Sequence, residues 1–66
     1  MDELLVDPTE AGRRLHLSRS VIYELMGRNE LVSIKVGRSR RIAVTEIQRY
    51  VERLYGRQRE AVADAR

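Results

Sequence analysis

The sequence contains no cysteine, tryptophan or phenylalanine, and it has a single proline among 66 residues. Without cysteine the chain has neither a disulfide framework nor a thiolate metal site, and it suits a reducing compartment. No apolar run exceeds three residues, whereas a membrane-spanning helix needs about 20. We therefore expect a protein of the cytoplasm that makes no contact with a membrane.

Groups for catalysis are also scarce. The sequence contains no recognisable pair of catalytic carboxylates, no nucleophile beside a base and no glycine-rich loop that would bind a phosphate. The single histidine, His16, has no cluster of further ligands around it. We expect a small domain that is not an enzyme and that uses no cofactor and no metal ion. A core of this size contributes only roughly 3 to 5 kcal/mol to stability.

Positive charge is concentrated in the middle of the chain. The net charge is +3 overall, but residues 13–41 contain eight basic and two acidic side chains, a local net charge of +6. Arginine supplies 12 of the 13 cations, and its planar guanidinium pairs with phosphates and with guanine edges through two hydrogen bonds. A high arginine content can also reflect a GC-rich genome, so composition alone only favours a nucleic-acid partner.

The segment from Ser18 to Arg28 has the pattern of a short amphipathic helix with Ser18 as its N-cap. Its apolar side chains recur at helical spacing, at Val21, Ile22, Leu25 and Met26. The other face carries Arg19, Ser20, Tyr23 and Glu24. Such a mixture reads base edges and phosphates in a major groove, although an ordinary solvated helix face has the same composition.

A first helix is predicted immediately upstream. Asp7 is its expected N-cap, Pro8 occupies the first helical position, and Glu10 is the reciprocal partner of a capping box. The inward residues are Ala11, Gly12 and Leu15, and the two small ones would let the second helix cross closely. His16 should end this helix in a left-handed conformation. Two helices joined by this short turn match a helix-turn-helix.

Downstream, alternating branched residues predict a hairpin. Pairing 36 with 42 and 34 with 44 places four apolar side chains on one face, at Ile34, Val36, Ile42 and Val44. This register leaves a five-residue loop, 37–41, which carries Arg38, Arg40 and Arg41. The run Leu4–Val6 would supply an additional edge strand.

A third helix should follow the hairpin and close the core. Thr45 and Gln48 form the expected capping box, and Gly56 is the expected C-terminal stop. The predicted core stripe comprises Ile47, Tyr50, Val51 and Leu54. We therefore divide the chain into a folded domain, residues 1–55, and a flexible or helical C-terminal tail, residues 56–66.

The order of these motifs resembles a known family. The matching residues are Leu17 to Tyr23, Glu30-Leu31, Lys35 to Arg38, Arg41-Ile42 and Thr45 to Ile47. Together they resemble the small excisionase-type helix-turn-helix proteins, which are related to the winged-helix DNA-binding domains of the MerR group. The family commonly has glycine where this chain has His16 and Asn29, and proline where it has Val32.

The resemblance implies an α+β fold, a small winged helix-turn-helix with three helices and a two- to three-stranded antiparallel sheet. It implies an excisionase that binds and bends double-stranded DNA, cooperates with neighbouring protomers, and directs an integrase of a phage or mobile element toward excision. The implied major-groove residues are Arg19, Ser20 and Tyr23, and the implied wing contacts to the minor groove or phosphate are Arg38, Arg40 and Arg41. Arg28 and Lys35 are further phosphate candidates. The C-terminal tail is a candidate contact to integrase.

Two alternatives remain open. A small MerR-like transcriptional regulator would use the same fold, because fold does not fix function. A protein-interaction module, such as an antitoxin or an integrase adaptor, would use the third helix and the tail, with the charge of the second helix incidental. An excisionase or a regulator acts with DNA in the cytoplasm of a bacterial or infected cell.

Overall fold

A computed structural model describes the backbone of residues 3–64 and the side chains of residues 3–59. In chain order the elements are β1 (Leu5–Val6), α1 (Pro8–Leu15), α2 (Arg19–Gly27), β2 (Ile34–Val36), β3 (Ser39–Ala43) and α3 (Val44–Asp64). The strands form an antiparallel sheet in the order β1-β3-β2. This architecture confirms the predicted α+β winged helix-turn-helix, including the edge strand before α1.

Helix α1 begins and ends as its sequence predicts. The carboxylate of Asp7 accepts a hydrogen bond from the backbone N–H of Glu10 at 2.8 Å, and His16 ends the helix at φ 57°. The reciprocal half of the predicted capping box is replaced by ion pairs. The Glu10 carboxylate accepts from Arg13 Nη2 at 2.6 Å and from Arg14 Nε at 2.8 Å, because both guanidiniums lie within one turn of it.

Gly12 allows the two helices of the helix-turn-helix to approach closely. A Cβ atom on Gly12 would lie 2.7 Å from the main-chain oxygen of Leu17 and 3.4 Å from Cγ1 of Ile22. The backbone N–H of Leu17 donates to the Gly12 carbonyl at 2.9 Å. The turn therefore packs directly on the backbone of α1, which confirms the predicted close crossing.

One apolar core joins all the elements except β2. Its buried side chains are Val6, Ala11, Ile22, Leu25, Leu31, Ile42, Ile47 and Tyr50. The predicted inner face of α2 is confirmed, because Ile22 and Leu25 are buried and Val21 and Met26 pack against the core. The core thereby fixes which face of α2 points outward.

The predicted register of the hairpin is wrong. The observed partners are Ile34 with Arg41 and Val36 with Ser39, so the turn contains only Gly37 and Arg38. Gly37 has φ 62°, a conformation that two-residue hairpin turns require and glycine adopts readily. Consequently Ile34 and Val36 do not share the core face of Ile42, and they are 48% and 50% exposed.

Helix α3 also departs from the prediction at both ends. It begins at Val44, so Val44 is helical rather than part of the hairpin, and Thr45 lies inside the first turn instead of capping it. It continues through Gly56 to Asp64, because one glycine costs a helix only about 1 kcal/mol. Of the predicted stripe, Ile47 and Tyr50 are buried, whereas Val51 and Leu54 are exposed.

Candidate nucleic-acid interface

The outer face of α2 is held in a defined orientation at its N-terminus. The hydroxyl of Ser18 accepts the backbone N–H of Val21 at 3.3 Å, as its role as N-cap predicts. Arg19, Ser20 and Tyr23 are all exposed. The structure therefore presents the predicted major-groove residues together, on the face turned away from the core.

Arg19 and Tyr23 form a pair one turn apart on this face. The guanidinium carbon of Arg19 lies 5.4 Å from the centre of the Tyr23 ring, and Arg19 Nη2 lies 3.4 Å from the Tyr23 hydroxyl. The hydrogen bond to this hydroxyl raises the pKa of the Arg19 guanidinium. Arg19 is thus a permanent cation whose planar group is held against the ring before any ligand arrives.

The wing is the β2–β3 hairpin, residues 34–43. Arg38 lies in its two-residue turn, and Arg40 lies opposite Lys35 in the adjacent strands. Arg40 Nη1 donates to the hydroxyl of Ser33 at 3.4 Å. Alternation along β3 directs Arg40 to the same side of the strand as Ile42, toward α2.

A groove separates α2 from the wing, and we call it the wing groove. Its volume is about 320 Å³. Its lining residues come from the start of α1, from α2 and from the wing: Asp7, Pro8, Thr9, Arg19, Tyr23, Arg38, Ser39, Arg40 and Arg41. Arg19 and Tyr23 therefore share one concave surface with the three predicted wing arginines, whereas Ser20 lies outside it.

Tyr23 and Arg40 also border a second cleft toward the C-terminal end of α2. This cleft of about 350 Å³ is completed by Met26, Gly27, Asn29 and Ser33. Tyr23 and Arg40 thus lie between the two concavities, where they can touch a ligand in either one. The apolar flank of Met26 and the hydroxyl of Ser33 give this second cleft a mixed polar and apolar lining.

Arg41 differs from its wing neighbours. It pairs with Ile34 across the hairpin. Because neighbouring residues of a strand alternate between the two faces of the sheet, its Cβ atom lies on the face opposite that of Arg40. Its guanidinium nevertheless returns toward the groove, with Nη1 3.5 Å from the main-chain oxygen of Arg40. Arg38 and Arg40 are the wing arginines that the fold presents directly to the groove.

Arg28, the further phosphate candidate directly after α2, has a structural partner. Its Nε lies 3.4 Å from Oε2 of Glu30, while Arg57 Nη1 lies 3.5 Å from Oε1 of the same carboxylate. Arg53 Nη2 donates to the Glu30 carbonyl at 2.5 Å. These contacts tie α3 to the loop after α2. Arg28 would have to leave Glu30 to reach a phosphate, whereas Lys35 has no such competing partner among residues 3–59.

The neutral polar residues of the surface could not be predicted from the sequence. Thr9 and Ser39 line the wing groove, and Asn29 and Ser33 line the second cleft. Hydroxyl and amide groups are common donors to phosphate oxygens, but single Thr, Ser and Asn residues leave no pattern in a sequence. Thr9 is the only one of these four residues with a recognisable position in the sequence, because it directly follows Pro8, the predicted first residue of α1.

The chemistry of this surface is that of an anion-binding concavity. Permanent cations from two elements converge with a tyrosine and several hydroxyls, which suits a phosphodiester backbone beside base edges. Within residues 3–64 no helix is long and apolar enough to cross a membrane. Over the same part of the chain, no group of three or more histidine, cysteine or acidic residues is placed to hold a metal ion.

Comparisons with known proteins agree with this fold. The family described as "Helix-turn-helix domain" matches residues 5–55. The chain is also similar to a "Probable excisionase" from Saccharopolyspora erythraea, with 37% identity over 60 residues that cover 91% of this chain and 61% of the relative. The chain thus spans about three fifths of the length of that relative. No solved structure matches it.

The chain belongs to the helix-turn-helix domain family, since the match covers more than half of its residues. The predicted resemblance to excisionase-type helix-turn-helix proteins is confirmed. The class of protein is therefore a DNA-binding helix-turn-helix protein.

Proposed function

We propose that this protein is an excisionase that binds specific DNA sites without catalysing a reaction, bends the DNA, and directs an integrase toward excision. The observation that carries the proposal is the wing groove, in which Arg19 and Tyr23 of α2 face Arg38 and Arg40 of the wing. A helix in the major groove and a wing on the adjacent backbone would grip one duplex from two sides. The similarity to a probable excisionase supports the particular role.

In this mechanism α2 supplies sequence choice and the wing supplies affinity and bending. Arg19, Ser20 and Tyr23 would meet base edges, because direct readout takes place in the major groove. Arg38, Arg40 and Arg41 would neutralise phosphates, and cations on one side of a duplex favour its bending toward the protein. Neighbouring protomers bound cooperatively, and integrase contacting residues 56–66, would complete the assembly in the cytoplasm.

Footprinting and gel shifts on attachment-site DNA, with promoter DNA as the comparison, test the proposal. We expect preferential binding to attachment DNA and, when integrase is added, more excision and less integration. Preferential binding to a promoter, with no change in recombination, would favour the small MerR-like regulator. Arg19→Ala and Tyr23→Ala should remove the preference for cognate over scrambled DNA while the melting temperature stays unchanged. Equal losses on both DNAs would exclude a base-reading role for α2.

A further inference from the structure

Helix α2 carries one carboxylate, Glu24, on its exposed face. Within residues 3–59, Glu24 and Glu52 are the carboxylates that neither form an ion pair nor cap a helix. The other acidic side chains of this range are all engaged: Glu3, Asp7, Glu10, Glu30 and Glu46. Glu24 is therefore a carboxylate without an ion-pair partner among residues 3–59, on the same helix as Arg19.

The absence of an ion pair at Glu24 has a structural cause. Arg28 lies four residues later, in the orientation that favours an ion pair on a helix. In the structure Arg28 instead turns to Glu30, at 3.4 Å from Oε2, and Glu30 is further held by Arg57. Arg28 thus pairs with Glu30, which also contacts α3 through Arg57, and it does not pair with Glu24.

The position of Glu24 on the helix allows it to reach a base. At 100° per residue, Ser20 and Gly27 mark the centre of the exposed face, and Tyr23 and Glu24 lie roughly 50° to either side of it. Tyr23 is on the side of the wing groove, so Glu24 is on the far side. Because Gly27 has no side chain, a cleft of about 360 Å³ lies open beside Glu24, lined by Glu24, Gly27 and Arg28.

We propose that Glu24 determines specificity by selecting cytosine at one position of the DNA site, an inference that rests on the proposed DNA-binding function. A carboxylate only accepts hydrogen bonds. In the major groove cytosine offers the N4 amino donor, whereas guanine offers two acceptors and thymine offers an acceptor and a methyl group. Adenine has a donor at N6 but an acceptor beside it at N7. An unpaired carboxylate thus favours cytosine and penalises the other bases by repulsion.

Selection from a randomised DNA library, followed by sequencing of bound DNA, tests this role with four proteins. For the unsubstituted protein we expect a preference for cytosine at one position of at least about fivefold. Glu24→Ala should lose the preference at that position alone. Glu24→Gln should shift it toward adenine, because an amide accepts from N6 and donates to N7. Glu52→Gln, the matched loss of an unpaired carboxylate on α3, should leave every preference unchanged.

Three results would overturn the inference. Glu24→Ala could keep the full preference of the unsubstituted protein, which would mean that Glu24 reads no base. It could instead weaken binding to every sequence equally, which would assign Glu24 a structural role. If the unsubstituted protein bound all library members equally, the proposed sequence-specific function would itself fail, and this result is distinct from the other two.

Discussion

Gly12→Ala tests how closely the two helices of the helix-turn-helix approach one another. The added methyl group would lie 2.7 Å from the carbonyl oxygen of Leu17, which is backbone and is fixed by the hydrogen bond from its own N–H to Gly12. The contact cannot be relieved by rotating a side chain. Either α1 and α2 must separate or the turn at His16 must deform.

Gly56→Ala is the matched control for this substitution. Both glycines are inside helices, so alanine stabilises each helix by about 1 kcal/mol. A Cβ atom on Gly56 meets no atom within 4 Å, and this variant should therefore be more stable than the unsubstituted protein. Forcing an extra methyl group into a packed site costs typically about 1 to 3 kcal/mol. Because the propensity gain is common to both variants, the difference between them isolates this steric cost.

Thermal and urea unfolding followed by circular dichroism measure the difference. In a domain of this size about 1 kcal/mol shifts the melting temperature by roughly 4 to 8 °C, so Gly12→Ala should melt well below Gly56→Ala. DNA affinity should fall only for Gly12→Ala, since only that change alters the angle between α1 and α2. If the two variants were equally stable, the close approach of Leu17 to α1 would be refuted.

Three further expectations concern the core, an acidic cluster and the wing. Leu25→Ala should lower the free energy of unfolding by roughly 2 to 5 kcal/mol, whereas Leu54→Ala, at a site 36% exposed, should cost much less in the same urea titration. Hydrogen bonds from Arg13 and Arg14 lower the pKa of Glu10 from 4.5 to about 2. The stability they confer should therefore be complete above pH 4.5 and be lost as the pH falls through about 2, and Glu10→Gln should flatten urea midpoints over that interval. Substitution of all three wing arginines, Arg38, Arg40 and Arg41, by alanine should flatten the slope of log K against log salt by up to ~2.7, at ~0.9 for each phosphate contact. An unchanged slope would mean that the wing is a solvated turn.

The helix-turn-helix could be predicted because its determinants are local. Three of these determinants act on backbone groups no more than four residues away. They are the capping carboxylate of Asp7, the tolerance of His16 for positive φ, and the capping hydroxyl of Ser18. The apolar spacing of α2 then selects the inner face, which leaves Arg19 and Tyr23 outside. Local rules therefore predict both the fold class and the helix that presents the candidate site.

The wing could not be predicted to the same depth because its register depends on non-local pairing. Alternation shows that Ile34 and Val36 share one face, but it does not show whether that face joins Ile42 in the core. The core is already filled by residues from distant elements, and Gly37 permits a turn of two residues. Because the turn is shorter than predicted, Arg40 lies in β3 instead of in a loop, and it lines the groove with Tyr23. The groove itself exists only after α1, α2 and the wing have packed.

The proposed interface is tested most directly by mapping the DNA-contacting surface by NMR, adding a DNA duplex to the isotopically labelled protein. If α2 and the wing bind DNA together, backbone amide signals should change mainly in two segments, residues 19–24 of α2 and residues 37–41 of the wing. Signals of residues 51–59 of α3 should remain nearly constant, because this segment lines neither the wing groove nor the second cleft. Changes concentrated in α3, with α2 and the wing unaffected, would contradict the claim that α2 and the wing bind DNA together.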